Sequence, residues 1–180
     1  MLGLTIGREM EMASKASFSP DEWSRIVGSV MVTGMAVTAA DPSGFWGMMK
    51  EGMAGGWAML EARQDPQSNE LVKALVGDVA TSETRDATRK ALQAKFKVSQ
   101  VSEIKAKAIE ELRGVSALLD AKAPEDAATF KKWLLQIARK TAEAAKEGSF
   151  LGFGGVPVSQ AETATLNEVA AALSIQPNAA

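Results

Sequence analysis

Cysteine and histidine are both absent from the 180 residues of this chain. Without cysteine there is no disulfide bond, thiol nucleophile, iron–sulfur cluster or zinc–thiolate site. Without histidine the chain lacks the side chain that titrates near neutral pH unaided. Any bound metal would be a hard cation such as Mg²⁺ or Ca²⁺, held by oxygen ligands. We expect no cofactor and favour a binding protein over an enzyme, although catalysis by the remaining polar residues stays open.

A large excess of one charge and long hydrophobic runs are also lacking. The chain carries 20 basic and 22 acidic residues, and a general nucleic-acid binder needs a basic surface, so we expect no nucleic-acid partner. The longest near-continuous apolar run, residues 26–40, is shorter than the about 20 residues that span a membrane. The N-terminal residues contain no apolar core long enough for a secretory signal. We predict no stable membrane span and a location in the reducing cytoplasm.

The clearest local signal lies in residues 18–23, Phe-Ser-Pro-Asp-Glu-Trp. Ser19 is a good N-cap, and Glu22 stands at the third helical position, where it completes a capping box. Pro20 occupies the first helical position, where its missing N–H costs nothing. The aromatic residues at both ends of the motif occupy the positions of a hydrophobic staple. The motif predicts a helix that starts at residue 20.

Apolar residues at three- and four-residue spacing, separated by caps and prolines, predict six further helices. No segment shows the alternation of a strand beyond the short residues 155–158. We therefore predict an all-α protein, a compact bundle of about seven helices with a Gly-rich loop before the last one. The predicted helices cover residues 20–40, 42–63, 67–80 and 82–97, then start at residues 99, 124 and 160, the sixth ending at 147.

Three segments make up the predicted domain organisation. Residues 1–17 are predicted to be a flexible N-terminal segment, and residues 176–180 a disordered tail. Residues 18–175 are predicted to form a single helical domain, which is a usual size for one domain. Within it, Lys131/Lys132 are predicted to lie on a solvated helix face. The acidic pairs Glu110/Glu111 and Glu125/Asp126 are predicted to lie on solvated faces or beside the positive N-terminal end of a helix dipole.

The most unusual part of the sequence is the predicted helical hairpin around residues 26–60. All nine Met and three of the four Trp lie in residues 1–59, and five glycines fall within residues 44–60. Each glycine costs a helix about 1 kcal/mol, so the second helix of the hairpin needs close neighbours. Those neighbours are either the first helix, with Met as adaptable filler, or an external guest. Disorder or assembly of the segment is a third possibility.

As a functional hypothesis, the hairpin binds an apolar small molecule or a partner helix, because Met-rich surfaces repack around varied guests. Two phenylalanines in the Gly-rich loop after residue 147 either pack into the core or form one wall of an apolar pocket. The hypothetical ligand-binding residues are Trp46, Met48, Met49, Met53, Trp57, Phe150 and Phe153.

Two segments carry a resemblance to a known family. Residues 39–44, Ala-Ala-Asp-Pro-Ser-Gly, and residues 154–162, Gly-Gly-Val-Pro-Val-Ser-Gln-Ala-Glu, resemble the tellurite-resistance-B-like (TerB-like) helical domains. Those domains repeat a small-residue helix end, an Asp-Gly turn and a capped helix of the form Val-Ser-x-x-Glu. The resemblance implies a helical bundle and, as an alternative function, a stress-response protein with weak carboxylate metal binding. Asp41 is then the one candidate ligand, because glycines replace the second acidic turn.

Overall fold

The computed structural model is helical throughout the residues that it describes. No strand occurs among them, which confirms the all-α class for this part of the chain. The described residues are 13–39, 69–97, 101–147 and 160–177. A 3-10 turn at Lys15–Ser17 precedes six helices: α1 (Pro20–Thr38), α2 (Glu70–Val79), α3 (Ser82–Lys95), α4 (Val101–Lys122), α5 (Pro124–Glu147) and α6 (Gln160–Ala172).

The predicted count of seven helices and the Gly-rich loop are not confirmed. The predicted second helix, residues 42–63, and the loop after residue 147 lie outside the described residues. Among the described residues, no helix is long and apolar enough to cross a membrane. The other predicted helices agree with the structure to within a few residues at each end.

Local capping explains why α1 begins where the sequence predicts. The Ser19 hydroxyl accepts a hydrogen bond from the Glu22 amide at 3.3 Å, and the Glu22 carboxylate accepts one from the Ser19 amide at 2.7 Å. The rings of Phe18 and Trp23 lie 5.8 Å apart, which completes the staple. For α3 the sequence predicts Ser82 as the N-cap, but the cap is Thr81, whose hydroxyl accepts a hydrogen bond from the Thr84 amide.

The bundle is built around α1, which packs against α4 and α5 along most of its length and also contacts α2, α3 and α6. Beyond its first turn α1 carries a single charge, at Arg25, and apolar or small residues cover nearly all its faces. A helix that is apolar on every side is stable only when other helices surround it. Its central residues are accordingly buried, including Ile26, Val30, Val32 and Ala36.

Two parts of the bundle differ in how many of their side chains are buried. The helices α1, α4, α5 and α6, called here the inner bundle, carry most of the fully buried side chains. Residues 13–18, α2 and α3, called here the outer layer, pack against one side of α1. In α3 only Thr88 is buried, while Leu92 and Phe96 are half-buried. The sequence spacing predicts that Ala87 and Ala91 anchor this helix together with Leu92 and Phe96, but both alanines are exposed.

The predicted domain limits at residues 18 and 175 stay a prediction. Part of the N-terminal segment is nevertheless described: Ala13 is buried and Lys15–Ser17 form a 3-10 turn. The Ala13 amide donates a hydrogen bond of 2.9 Å to a carboxylate oxygen of Asp126.

Candidate functional site

Every side chain that the sequence hypothesis places in the binding site lies outside the described residues. The structure describes only the first half of the predicted hairpin, residues 26–39, and the candidate metal ligand Asp41 is not included. The described part of the candidate site therefore consists of residues of α1 and the residues that pack against them. The hypothetical ligand-binding residues outside the described part are Trp46, Met48, Met49, Met53, Trp57, Phe150 and Phe153.

The first half of the hairpin is mostly core. Val27, Val30, Val32 and Val37 are each at most 4 % exposed. Their valine side chains stay well defined in a helix, because branching at Cβ restricts the χ1 angle. These valines therefore agree with the interpretation that the hairpin packs tightly within the protein.

One strip of α1 is not covered. Met31 is 46 % exposed, while Gly34 and Met35, one turn further on, are half-buried. A Cβ built on Gly34 meets no atom within 4 Å, so the gap beside these methionines is open. This open strip, Met31, Gly34 and Met35, is the part of the described hairpin that a guest can reach.

The open strip continues a face of α1 on which a helix already sits. Gly28 precedes Met31 by three residues and lies on the same face of the helix. A Cβ on Gly28 would stand 3.8 Å from both Thr88 and Leu92 of α3, which is ordinary packing distance. The face is thus covered by α3 at Gly28, exposed at Met31 and half-buried at Met35.

A buried carboxylate, Glu111, links α3 to α1 and α4. Glu111 of α4, only 8 % exposed, accepts a hydrogen bond from Arg25 Nε of α1 at 2.8 Å. Its other oxygen accepts from Lys95 Nζ of α3. Burial raises the pKa of the Glu111 carboxyl, but the hydrogen bonds from Arg25 and Lys95 outweigh burial and hold that pKa below its ordinary value. The carboxylate therefore joins three helices in its charged form.

The prediction of solvated faces was wrong for Glu111 and Lys131, whereas Asp126, although buried, lies in the first turn of α5, as the helix-dipole alternative predicts. Glu111 is buried between Arg25 and Lys95, and Asp126 is buried with the Ala13 amide on its carboxylate. Lys131 is 4 % exposed, and its ammonium group contacts both carboxylate oxygens of Asp120 at 2.6 and 2.7 Å.

A sequence signal for these buried charges does exist. Glu111 follows Ala108 by three residues and precedes Val115 by four. Lys131 stands between Ala127 and Leu134 at four- and three-residue spacing. Both therefore fall on the same periodic stripe that predicts the core. The prediction followed the polarity of these two residues and placed them on the surface. Their spacing instead indicates the interior, where the structure places them.

The described residues show no arrangement for metal or nucleophilic chemistry. No group of three or more His, Cys, Asp or Glu side chains among them could hold a metal ion. Ser116 has a buried hydroxyl without a hydrogen-bond partner, so no base is in place to activate it. The buried charges Glu111, Asp126 and Lys131 each have an opposite charge or a backbone amide beside them, which is a structural arrangement.

Comparison of the chain with protein-family models, with curated proteins and with solved structures gives no match. The TerB-like resemblance therefore stays a prediction. Any function has to be argued from the open strip and its surroundings.

Proposed function

We propose that this protein is a non-enzymatic binding protein whose open strip, Met31, Gly34 and Met35, receives an apolar helix of a partner. The observation that carries the proposal is the exposure of Met31 on an otherwise enclosed helix. Exposing a large apolar side chain there leaves apolar surface in water, which a partner helix would remove.

The manner in which α3 packs supports a helix as the guest. At Gly28 the missing side chain lets Thr88 and Leu92 approach the backbone of α1. Gly34 offers a similar gap, with Met31 and Met35 beside it. Methionine side chains are unbranched and flexible, so they adapt to the ridges of an incoming helix. Amphipathic helices commonly dock in this way through residues at three- and four-residue spacing.

The sequence hypothesis supplies further parts of the proposed surface. Residues 40–68 follow α1 directly and contain the second half of the predicted hairpin. In this proposal its Trp and Met side chains extend the contact surface, and the phenylalanines after residue 147 form one wall. The extended set is Trp46, Met48, Met49, Met53, Trp57, Phe150 and Phe153.

Methyl NMR of protein labelled at its methionine methyl groups tests the proposal. The probe is an amphipathic peptide of about 15 residues, with Leu on one face and equal numbers of Lys and Glu on the other. We expect the Met31 and Met35 signals to shift on titration, and Met31→Glu to weaken binding about tenfold or more. The control Gln136→Glu adds the same charge at an exposed position of α5 and should leave binding unchanged.

Two outcomes would contradict the proposal. Unshifted Met31 and Met35 signals at peptide saturation would place any binding elsewhere. If dodecanoate shifts both signals while the peptide does not, the guest is an apolar small molecule and the partner-helix proposal is wrong.

A further inference from the structure

Sulfur in this chain occurs only in methionine, because the sequence has nine methionines and no cysteine. Peroxides oxidise cysteine thiolates, and they oxidise the methionine thioether to the sulfoxide. Since no thiolate competes here, the methionines are the sulfur groups with which a peroxide can react. A peroxide arrives from water, so the exposure of each methionine decides how fast it reacts.

The two methionines that the structure describes differ in exposure. Met31 is 46 % exposed and is the exposed large apolar side chain among the described residues. Met35 lies one turn further along α1 and is half-buried. A peroxide therefore reaches more of the Met31 side chain, and we expect Met31 to react first of these two.

The surroundings of Met31 leave room for the oxygen of a sulfoxide. Gly34 stands three residues further along the same face of α1. A Cβ built on Gly34 meets no atom within 4 Å, so this side of the open strip is not packed. The neighbouring Val30 and Val32 are buried, and they hold α1 in the core on its other faces. Oxidation of Met31 thus adds a polar group at the surface and leaves the core packing as it is.

We propose that Met31 is an oxidation site, at which a peroxide converts the thioether to the sulfoxide and so weakens binding of an apolar helix at the open strip. In this step a lone pair of the Met31 sulfur attacks one peroxide oxygen, the S–O bond forms and the O–O bond breaks. With hydrogen peroxide, proton transfer to the departing oxygen gives water. The sulfur is oxidised by two electrons, and the peroxide is reduced by two. A thiol-dependent methionine sulfoxide reductase reverses the step, with oxidation of two thiols to a disulfide and release of water.

The effect on binding rests on the proposed function of the open strip. A partner helix that covers Met31 removes its side chain from water, which favours binding while that side chain is apolar. The sulfoxide oxygen is a hydrogen-bond acceptor, and the apolar face of a helix offers it no donor. Burying an acceptor without a partner costs free energy. Oxidation therefore opposes docking, and Met31 makes the surface sensitive to peroxide.

Peptide mapping by tandem mass spectrometry measures which methionine reacts. The full chain is treated with a limiting amount of hydrogen peroxide, and the sulfoxide at Met31 and at Met35 is followed over time. We expect Met31 to react about five times faster or more in the folded protein, and both to react at nearly equal rates in concentrated urea. Equal rates in the folded protein would overturn the proposal, because exposure would then not select Met31.

Binding of the same amphipathic peptide of Leu, Lys and Glu measures the consequence. Wild type is compared before oxidation, after oxidation, and after repair by methionine sulfoxide reductases with dithiothreitol. We expect oxidation to weaken binding about tenfold and repair to restore it. Far-UV circular dichroism should not change on oxidation, and a loss of helix would overturn the proposal, because the fold and not the surface would then be affected.

Substitutions assign the effect to one side chain. Met31→Leu cannot form a sulfoxide at this position, so its affinity should be the same before and after peroxide. The matched variant Met35→Leu should still lose affinity about tenfold on oxidation. Met31→Gln places a polar group at the site without any oxidant and should also weaken binding about tenfold.

The outcomes separate this inference from the proposed function. If the peptide does not bind wild type before oxidation, the proposed function is wrong and the inference falls with it. If wild type binds equally before and after oxidation, the open strip still binds a helix, and only the inference is wrong. A tenfold loss that persists in Met31→Leu, or full affinity in Met31→Gln, would likewise overturn the inference.

Discussion

The inner bundle and the outer layer are both helical and differ in what holds them. The inner helices interlock through side chains that are completely buried, such as Phe130, Leu112 and Leu134. The outer layer buries fewer apolar side chains, chiefly in α2, and none in α3, and it adds polar contacts such as those of Asp78 with Lys15 and of Glu111 with Lys95. Apolar burial is spread over many contacts, whereas a polar contact is lost when one of its side chains is replaced. The comparison predicts that substitutions in the two regions differ in size and in kind.

The largest effect should come from emptying the inner bundle. Phe130 is fully buried and packs edge-on against Trp133, with ring centroids 5.4 Å apart. Phe130→Ala leaves a cavity and should lower the free energy of unfolding by about 3–5 kcal/mol. Leu92→Ala, in the half-buried contact of α3, should cost about 1 kcal/mol. Urea unfolding measures both, and equal losses would remove the distinction between the two regions.

Replacement of Glu111, whose ion pairs join the inner bundle to the outer layer, should cause a smaller and pH-dependent loss of stability. Glu111→Gln removes the charge that Arg25 and Lys95 share, and should cost about 1–2 kcal/mol at neutral pH, because both cations stay partly solvated. The pKa of Glu111 is lowered on folding, so its charge stabilises the fold above the ordinary value of 4.5 and this stabilisation is lost as pH falls through the native pKa.

The measurement is the free energy of unfolding of wild type and Glu111→Gln across the acid range. The two curves should lie apart at neutral pH and converge as pH falls from the ordinary value of 4.5 through the lowered native pKa of Glu111. Glu110→Gln is the matched control, because Glu110 is an exposed neighbour that pairs with Arg113 within one helix turn. A constant gap between wild type and Glu111→Gln down to low pH would show that the charge of Glu111 does not matter.

The difference between local and long-range interactions explains which features of this molecule can be predicted from its sequence. Helix starts depend on residues within one turn, so the box at Ser19 and Glu22 predicted α1 correctly. The burial of Glu111 was not predicted, because it depends on contacts between helices: 86 residues separate Glu111 from its partner Arg25. For the site, the hairpin pattern pointed to α1 but could not separate its core face from the strip at Met31. That separation depends on where α3 crosses, which is a tertiary contact.

A stabilising change of about 1 kcal/mol is expected at a flaw inside the inner bundle. The Ser116 hydroxyl is buried and has no hydrogen-bond partner, so folding removes it from water without replacement. Ser116→Ala should raise the free energy of unfolding by about 1 kcal/mol. Ser29→Ala is the control, since the Ser29 hydroxyl donates to the Ile26 carbonyl at 2.6 Å and its removal brings no such gain. Thermal or urea unfolding of both variants measures the change in stability. An equal change in the two variants would contradict the prediction that the unpaired Ser116 hydroxyl destabilises the fold.

The smallest effect contrasts one glycine on the open strip with one in the inner bundle. Alanine is favoured over glycine in a helix by about 1 kcal/mol. At Gly34 an added methyl group meets no neighbour, so Gly34→Ala should stabilise the protein by about 0.5–1 kcal/mol. At Gly114 the added Cβ would overlap the guanidinium of Arg25, which must move away from Glu111. Gly114→Ala should therefore gain nothing or destabilise slightly. Urea unfolding of the two variants tests this, and an equal gain at both sites would mean that Arg25 relaxes without weakening its tie to Glu111.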